Sequence, residues 1–143
     1  MIEFVVSRCS ESELSNFIRE HYCDFDSNFK YICENKNYCH KLYVHSEKYE
    51  AWGNGKLFGL ICVYVNNENK YIYIPYVCIS SELRRKKVAS TLLEKIIKDF
   101  TNDYLYIDLE VRIDNTAAFV LYTHYGFLEI GRNEKRIQMR KFL

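Results

Sequence analysis

Residues 77–100, VCISSELRRKKVASTLLEKIIKDF, constrain the fold more than any other stretch. Val88, Leu92, Leu93, Ile96, Ile97 and Phe100 fall on one face of a 3.6-residue period, which predicts an amphipathic helix. An apolar run ending near Ile79 precedes it and reads as a strand. Between them lie Ser80-Ser81-Glu82 and four consecutive cations, Arg84 to Lys87. After the helix, Tyr104 to Arg112 alternates: Leu105, Ile107, Leu109 and Val111 face one way, and Tyr106, Asp108, Glu110 and Arg112 the other. Strand, long helix, strand is a βαβ unit, so the two strands are predicted parallel with a right-handed crossover. The first turn of the helix offers unpaired amides and a partial positive charge. With cations around it, the turn reads either as an anion site suited to phosphate or as a solvated basic face. Glu94 and Lys98, four apart, are predicted to pair.

The rest of the chain fits around this unit. Residues 2 to 8 read as a strand, and Ser10 with Glu13 forms a capping box for a helix burying Leu14, Phe17 and Ile18. Asp26 or Ser27 is the predicted cap of a second helix carrying Phe29, Ile32 and Cys33; Lys30 to Tyr38 is weakly patterned. Gly53-Asn54-Gly55 is a hairpin turn signal, and Leu57 to Val65 a long apolar strand. Asn66 to Asn69 turn the chain into the strand Lys70 to Ile79, which holds the single proline, Pro75. A proline inside a sheet marks an edge or a bulge, and a bulge here would splay the strand from its neighbour. Asp114 or Asn115 caps a short helix, Thr116 to His124, and Gly126 sits where a left-handed C-terminal cap belongs. Phe127 to Ile130 and Lys135 to Phe142 read as a closing hairpin.

Composition narrows the function classes. A chain of 143 residues is read as one domain, 1–143. A net charge of +1 argues against a general nucleic-acid or membrane-surface binder. Four cations without interleaved stacking aromatics argue the same way. The longest apolar stretch is too short to span a bilayer, and no signal peptide is read, so a cytoplasmic location is expected. The six cysteines are then expected as free thiols. Cys33, Cys39 and His40 lie close together, but the spacing matches no zinc module, and no metal is expected.

Two stretches resemble the GCN5-related N-acetyltransferases. Arg84-Arg85-Lys86-Lys87-Val88-Ala89, followed by Ser90, is similar to the family's Gln/Arg-x-x-Gly-x-Gly/Ala loop, with Lys87 in place of the middle glycine. Asn115-Thr116-Ala117-Ala118-Phe119-Val120-Leu121-Tyr122, then Tyr125-Gly126-Phe127, resembles N-x-x-A-x-x-L-Y-x-x-x-G-F. Leu109-Glu110-Val111-Arg112 with Asn115 is similar to the RimI-type protein N-terminal acetyltransferases. The resemblance implies a single α/β domain: a mixed, mostly antiparallel seven-stranded sheet with flanking helices and a central parallel βαβ unit.

The activity implied is N-acetyl transfer from acetyl-CoA, as co-substrate, to a primary amine by direct attack. The acceptor is either a small-molecule amine or a protein amino group. Backbone amides of Arg85 to Ser90, with Arg84 beside them, would hold the diphosphate. Backbone of Val77 and Ile79 would pair with the peptide-like pantetheine arm. An amide near Val77 or Cys78 would face the thioester oxygen. Tyr122 takes the family's acid position, or is simply a core tyrosine. Glu110 is the candidate base, or a solvated strand carboxylate. Asn115 contacts the cofactor, or only caps its helix. Tyr71, Tyr73 and Tyr76 are candidates to line the acceptor site. Either a monomer or a homodimer is compatible. The competing reading is a non-catalytic acyl-CoA-binding or regulatory module of the same fold, motivated by Lys87.

Overall fold

A computed structural model describes residues 1–21, 36–83 and 87–143. The elements run β1 (Ile2–Val6), α1 (Glu11–Glu20), α2 (Lys36–His45), β2 (Glu47–Gly53), β3 (Lys56–Asn66), β4 (Tyr71–Ile79), a 3-10 turn (Ser81–Leu83), α3 (Val88–Phe100), β5 (Tyr106–Arg112), α4 (Thr116–His124), β6 (Leu128–Arg132) and β7 (Arg136–Phe142). The strands form one seven-stranded sheet in the order β1-β2-β3-β4-β5-β7-β6. Only β4 and β5 pair in parallel, joined through α3; every other neighbour is antiparallel. The expected mixed sheet and central βαβ unit are therefore present.

Local chemistry explains the element ends. The Ser10 hydroxyl accepts from the Glu13 amide while the Glu13 carboxylate accepts from the Ser10 amide, so both halves of the capping box exist. Asn54 and Gly55 have φ of 51° and 73° and connect the paired residues Gly53 and Lys56. Positive φ at both loop positions is the twist a two-residue hairpin needs. Gly126, at φ 90°, follows the last turn of α4 and donates its amide to the Thr123 carbonyl.

Two clusters cover the two faces. On one, Leu92, Leu93 and Ile96 of α3 pack on Ile61, Ile72 and Ile107. On the other, Leu14 and Ile18 of α1 and Leu42 of α2 pack on Leu60, Cys62 and Tyr76. This second cluster takes no residue from β5, β6 or β7, so among the described residues that half of the face carries no helix. Beneath α1, Glu50 is fully buried and its carboxylate accepts from the amides of Arg8 and Cys9 and from Trp52 Nε1. The four described cysteines, Cys9, Cys39, Cys62 and Cys78, are buried free thiols.

Some expectations need correction. Leu105 lies outside β5 and is 62% exposed, because the ladder with β4 begins only at Tyr106. Glu94 does not partner Lys98; it accepts from the Tyr125 hydroxyl at 2.5 Å, and the i,i+4 pair on α3 is Lys95–Asp99. The helix α2 carries little sequence signal, since Cys39 and Leu42 are the buried side chains among its described ones. The predicted helix over Phe29, Ile32 and Cys33 lies outside the described residues.

Candidate active site

The site exists because two parallel strands stop pairing. The ladder between β4 and β5 ends at Ile74 and Leu109, yet β4 continues to Ile79 and β5 to Arg112. On its other side β4 carries a bulge: Tyr76 faces Cys62 and Tyr73 faces Tyr64, three steps against two. The inserted residue falls at Ile74-Pro75, and it moves the core-facing set from Ile72 and Ile74 to Val77 and Ile79. Pro75 also removes a donor from the strand. Of the two sequence readings of Pro75, the bulge is the one observed. A cavity of about 750 Å³ fills the gap between the diverging strands.

One end of this cavity meets the start of α3. Ala89 lines it together with Val77, Cys78 and Ile79. The N-cap residue Lys87 adopts the left-handed conformation, φ 58° and ψ 25°, and its side chain makes no cap. The amides of Val88, Ala89 and Ser90 therefore lack both an intrahelical acceptor and a capping side chain. Gly59 of β3 lets this turn sit close: a Cβ there would come within 2.9 Å of Ile79 Cδ1 and 3.2 Å of Val88 Cγ1. The Val88 side chain is buried in the core, so only its backbone can serve a ligand. A diphosphate fits these donors, because uncapped amides at a helix start are an anion site. Arg84, Arg85 and Lys86 lie outside the described residues.

The opposite walls carry the titratable groups. Asn115, Tyr122 and Glu110 all line the cavity. Asn115 caps α4, its side-chain oxygen accepting from the Ala118 amide at 3.1 Å. Tyr122 is 6% exposed, and burial pushes its phenol up to about 12. No described residue hydrogen-bonds its hydroxyl, so packing alone explains the ring, 5.7 Å from Phe127, but not the oxygen.

Glu110 is exposed on the polar face of β5. Its neighbours' charges are spoken for: Arg140 binds Asp108 through two hydrogen bonds of 2.7 and 2.8 Å, and Arg112 pairs with Asp114 at 2.7 Å. Among the described residues no ion pair engages Glu110. Tyr73 lines the cavity beside it, its phenol raised first by burial and then by the Glu110 charge, against the opposing Arg136. Tyr76 also lines the cavity while packing under α1 and α2, and Tyr71 lies further down the strand. Arg136, on β7, is a wall residue with no sequence signal, because its place depends on the β5–β7 register. Among the described residues no group of three potential ligands could hold a metal, and no helix is long and apolar enough to cross a membrane.

Comparison with known proteins agrees with this geometry. The pattern of the acetyltransferase (GNAT) family matches residues 10–127. An N-alpha-acetyltransferase of Saccharolobus solfataricus is 38% identical over 60 residues, 41% of this chain, and the match spans only 36% of that relative's length. The crystal structure of the Thermoplasma acidophilum PaiA N-acetyltransferase in complex with coenzyme A superposes with a TM-score of 0.77 at 21% identity, covering 100% of this chain and 99% of that one. The Escherichia coli ribosomal-protein-S18-alanine N-acetyltransferase gives 0.77 at 19%, covering 99% and 94%. These two likenesses concern the fold. The match across most of its length shows that the chain belongs to the acetyltransferase (GNAT) family.

Proposed function

We propose that the protein transfers the acetyl group of acetyl-CoA to a primary amine, and that the amine is the α-amino group of a polypeptide. The observation that carries this is the single cavity at the β4/β5 divergence. It joins the start of α3 at Ala89, the stretch of β4 beyond its last pair with β5, Tyr122 and Glu110. The N-terminal acetyltransferases among its relatives support the choice of acceptor.

Each part answers a physical need. Amides of Val88 to Ser90 hold the diphosphate. Backbone of β4 around Val77, past the last pair of the β4/β5 ladder, takes the pantetheine arm, and an amide near Val77 or Cys78 meets the charge that grows on the thioester oxygen. Glu110 removes the amine proton, directly or through one water. A single exposed carboxylate suits an α-amine, whose pKa of about 8 leaves some of it neutral at pH 7; an alkyl ammonium at about 10.4 asks for far more. Tyr122 stands at the leaving sulfur. A phenol at about 12 keeps its proton against a thiolate whose acid has a pKa of about 8.5, so it stabilises the sulfur by donating a hydrogen bond. A hydrogen bond to a charged group contributes about 1.5–3 kcal/mol, or roughly 10- to 100-fold in rate. Asn115 serves as the cap.

The test is release of CoA thiol with a panel of short peptides bearing free N-termini. Turnover by the wild type and a 10- to 100-fold lower kcat for Tyr122→Phe, with unchanged acetyl-CoA affinity, is expected. The second reading, a non-catalytic acyl-CoA-binding module, is favoured by Lys87 at the loop's left-handed position. Acetyl-CoA binding without turnover on any amine would select it.

A further inference from the structure

The geometry points to a binding site for an aromatic side chain on the second residue of the acceptor peptide. It rests on the reading of the cavity above as the acceptor site. A second hollow of about 660 Å³ lies on the same sheet face, toward the start of β4. Tyr73 lines both hollows, so the two adjoin at this side chain. The other aromatic walls of the second hollow are Tyr64, Tyr71 and Tyr106, with Asn67 and Glu68 on the rim.

The rings there are ordered. Tyr71 and Tyr106 are directly opposed in the parallel ladder, with ring centroids 5.2 Å apart and planes 5° from parallel. The Arg140 guanidinium lies 3.8 Å from the Tyr106 centroid and is fixed by its two hydrogen bonds to Asp108. Arg140, Tyr106 and Tyr71 thus make a stack whose charge is neutralised at one end. Among the described residues no ring or cation continues it beyond Tyr71. Half-buried phenols held in this way present a flat, preordered surface, which binds rings at little entropic cost.

Distance selects the second residue. From the level of Tyr73 to that of Tyr71 is one two-residue step, about 7 Å along a strand. An extended peptide whose α-amine sits beside Tyr73 and Glu110 carries its second side chain that far. Glu68 at the rim can accept from a hydroxyl or indole N–H. An alanine in the second position leaves the tyrosine faces in water and gains nothing from them.

The experiment is binding and turnover of paired peptides, Ala-Phe- and Ala-Ala- with identical remainders. Each is titrated by calorimetry into the protein with CoA present and assayed separately with acetyl-CoA. The phenylalanine peptide should bind at least tenfold more tightly. The preference should vanish in Tyr71→Ala, persist in Tyr71→Phe, and appear in KM with kcat unchanged. Equal affinities for the two peptides, or a Tyr71→Ala loss shared equally by both, overturns the inference. Failure of the phenylalanine peptide to bind overturns it as well, whatever other amines react. Aromatic-selective binding without acetyl transfer keeps the inference and removes the catalytic reading instead.

Discussion

Ile74 and Leu109 are the last opposed pair of the parallel ladder between β4 and β5. Beyond them the strands separate, and the cavity that opens is lined by Val77, Ala89, Glu110 and Tyr122. The cause is local and covalent: one extra residue on β4, at a proline that cannot donate. Unpaired backbone is costly when buried. A peptide-like arm laid along β4 past Ile74 would take the place that β5 leaves, which ties the defect in the sheet to ligand binding.

Burial of Tyr122 gives stability an alkaline limit. Its phenol titrates at about 12 in the folded protein and near its ordinary 10.0 when unfolded. The folded state then holds the proton more tightly. Stability is unaffected below pH 10 and falls as pH rises from there through 12, by roughly 2–3 kcal/mol. Tyr49, also buried and held up by Asp99, adds to the same slope. Urea unfolding across this range should show Tyr122→Phe losing less than the wild type; identical losses would mean that the phenol is solvated.

Replacement of Glu110 should affect chemistry and not cofactor binding. Glu110→Gln is expected to lower kcat/KM by about 100-fold at pH 7 while acetyl-CoA affinity stays constant. As pH rises past the α-amine pKa of about 8, free amine accumulates and the deficit should narrow. A pH-independent deficit would assign Glu110 to acceptor positioning.

At Lys87 the protein holds a non-glycine residue at φ 58°. The left-handed conformation costs about 1–2 kcal/mol, and glycine's extra freedom when unfolded returns about 0.5–1 of that. Lys87→Gly should therefore gain about 0.5 kcal/mol in denaturant unfolding. Since the lysine side chain is exposed and the proposed diphosphate contacts are backbone amides, acetyl-CoA affinity should change less than about threefold, under 1 kcal/mol.

Glu50 should matter to the fold as a whole. Its carboxylate satisfies three buried or half-buried donors where β1 turns into α1. Glu50→Ala strands them together and is expected to cost about 3 kcal/mol, read as a lower urea midpoint at unchanged slope. A loss below about 1 kcal/mol would show that water reaches the turn.

Much of this was legible because its determinants are short-range. The α3 stripe, the Ser10 box, the Asn54-Gly55 turn and the Asn115 cap each lie within a few residues, and each predicted element formed. Pro75 announced the break in β4 but left open edge or bulge, because only the register with β3 decides. Arg136 and the Arg140–Tyr106–Tyr71 stack were invisible: they unite β4, β5 and β7 across long sequence distances. Strict alternation would set Tyr76 opposite Tyr71 and Tyr73; the bulge between them turns it to their face, where it packs under the helices. Helix α2 hid for the opposite reason, since two buried side chains make too thin a stripe to read.

The most direct test is an amide NMR titration of the protein with acetyl-CoA. Binding at roughly micromolar affinity, with the largest shifts at Val77, Ile79, Ala89 and Ser90, is the predicted result. Absence of shifts at millimolar acetyl-CoA in a folded sample, or shifts confined to β1 and β2, would contradict the account.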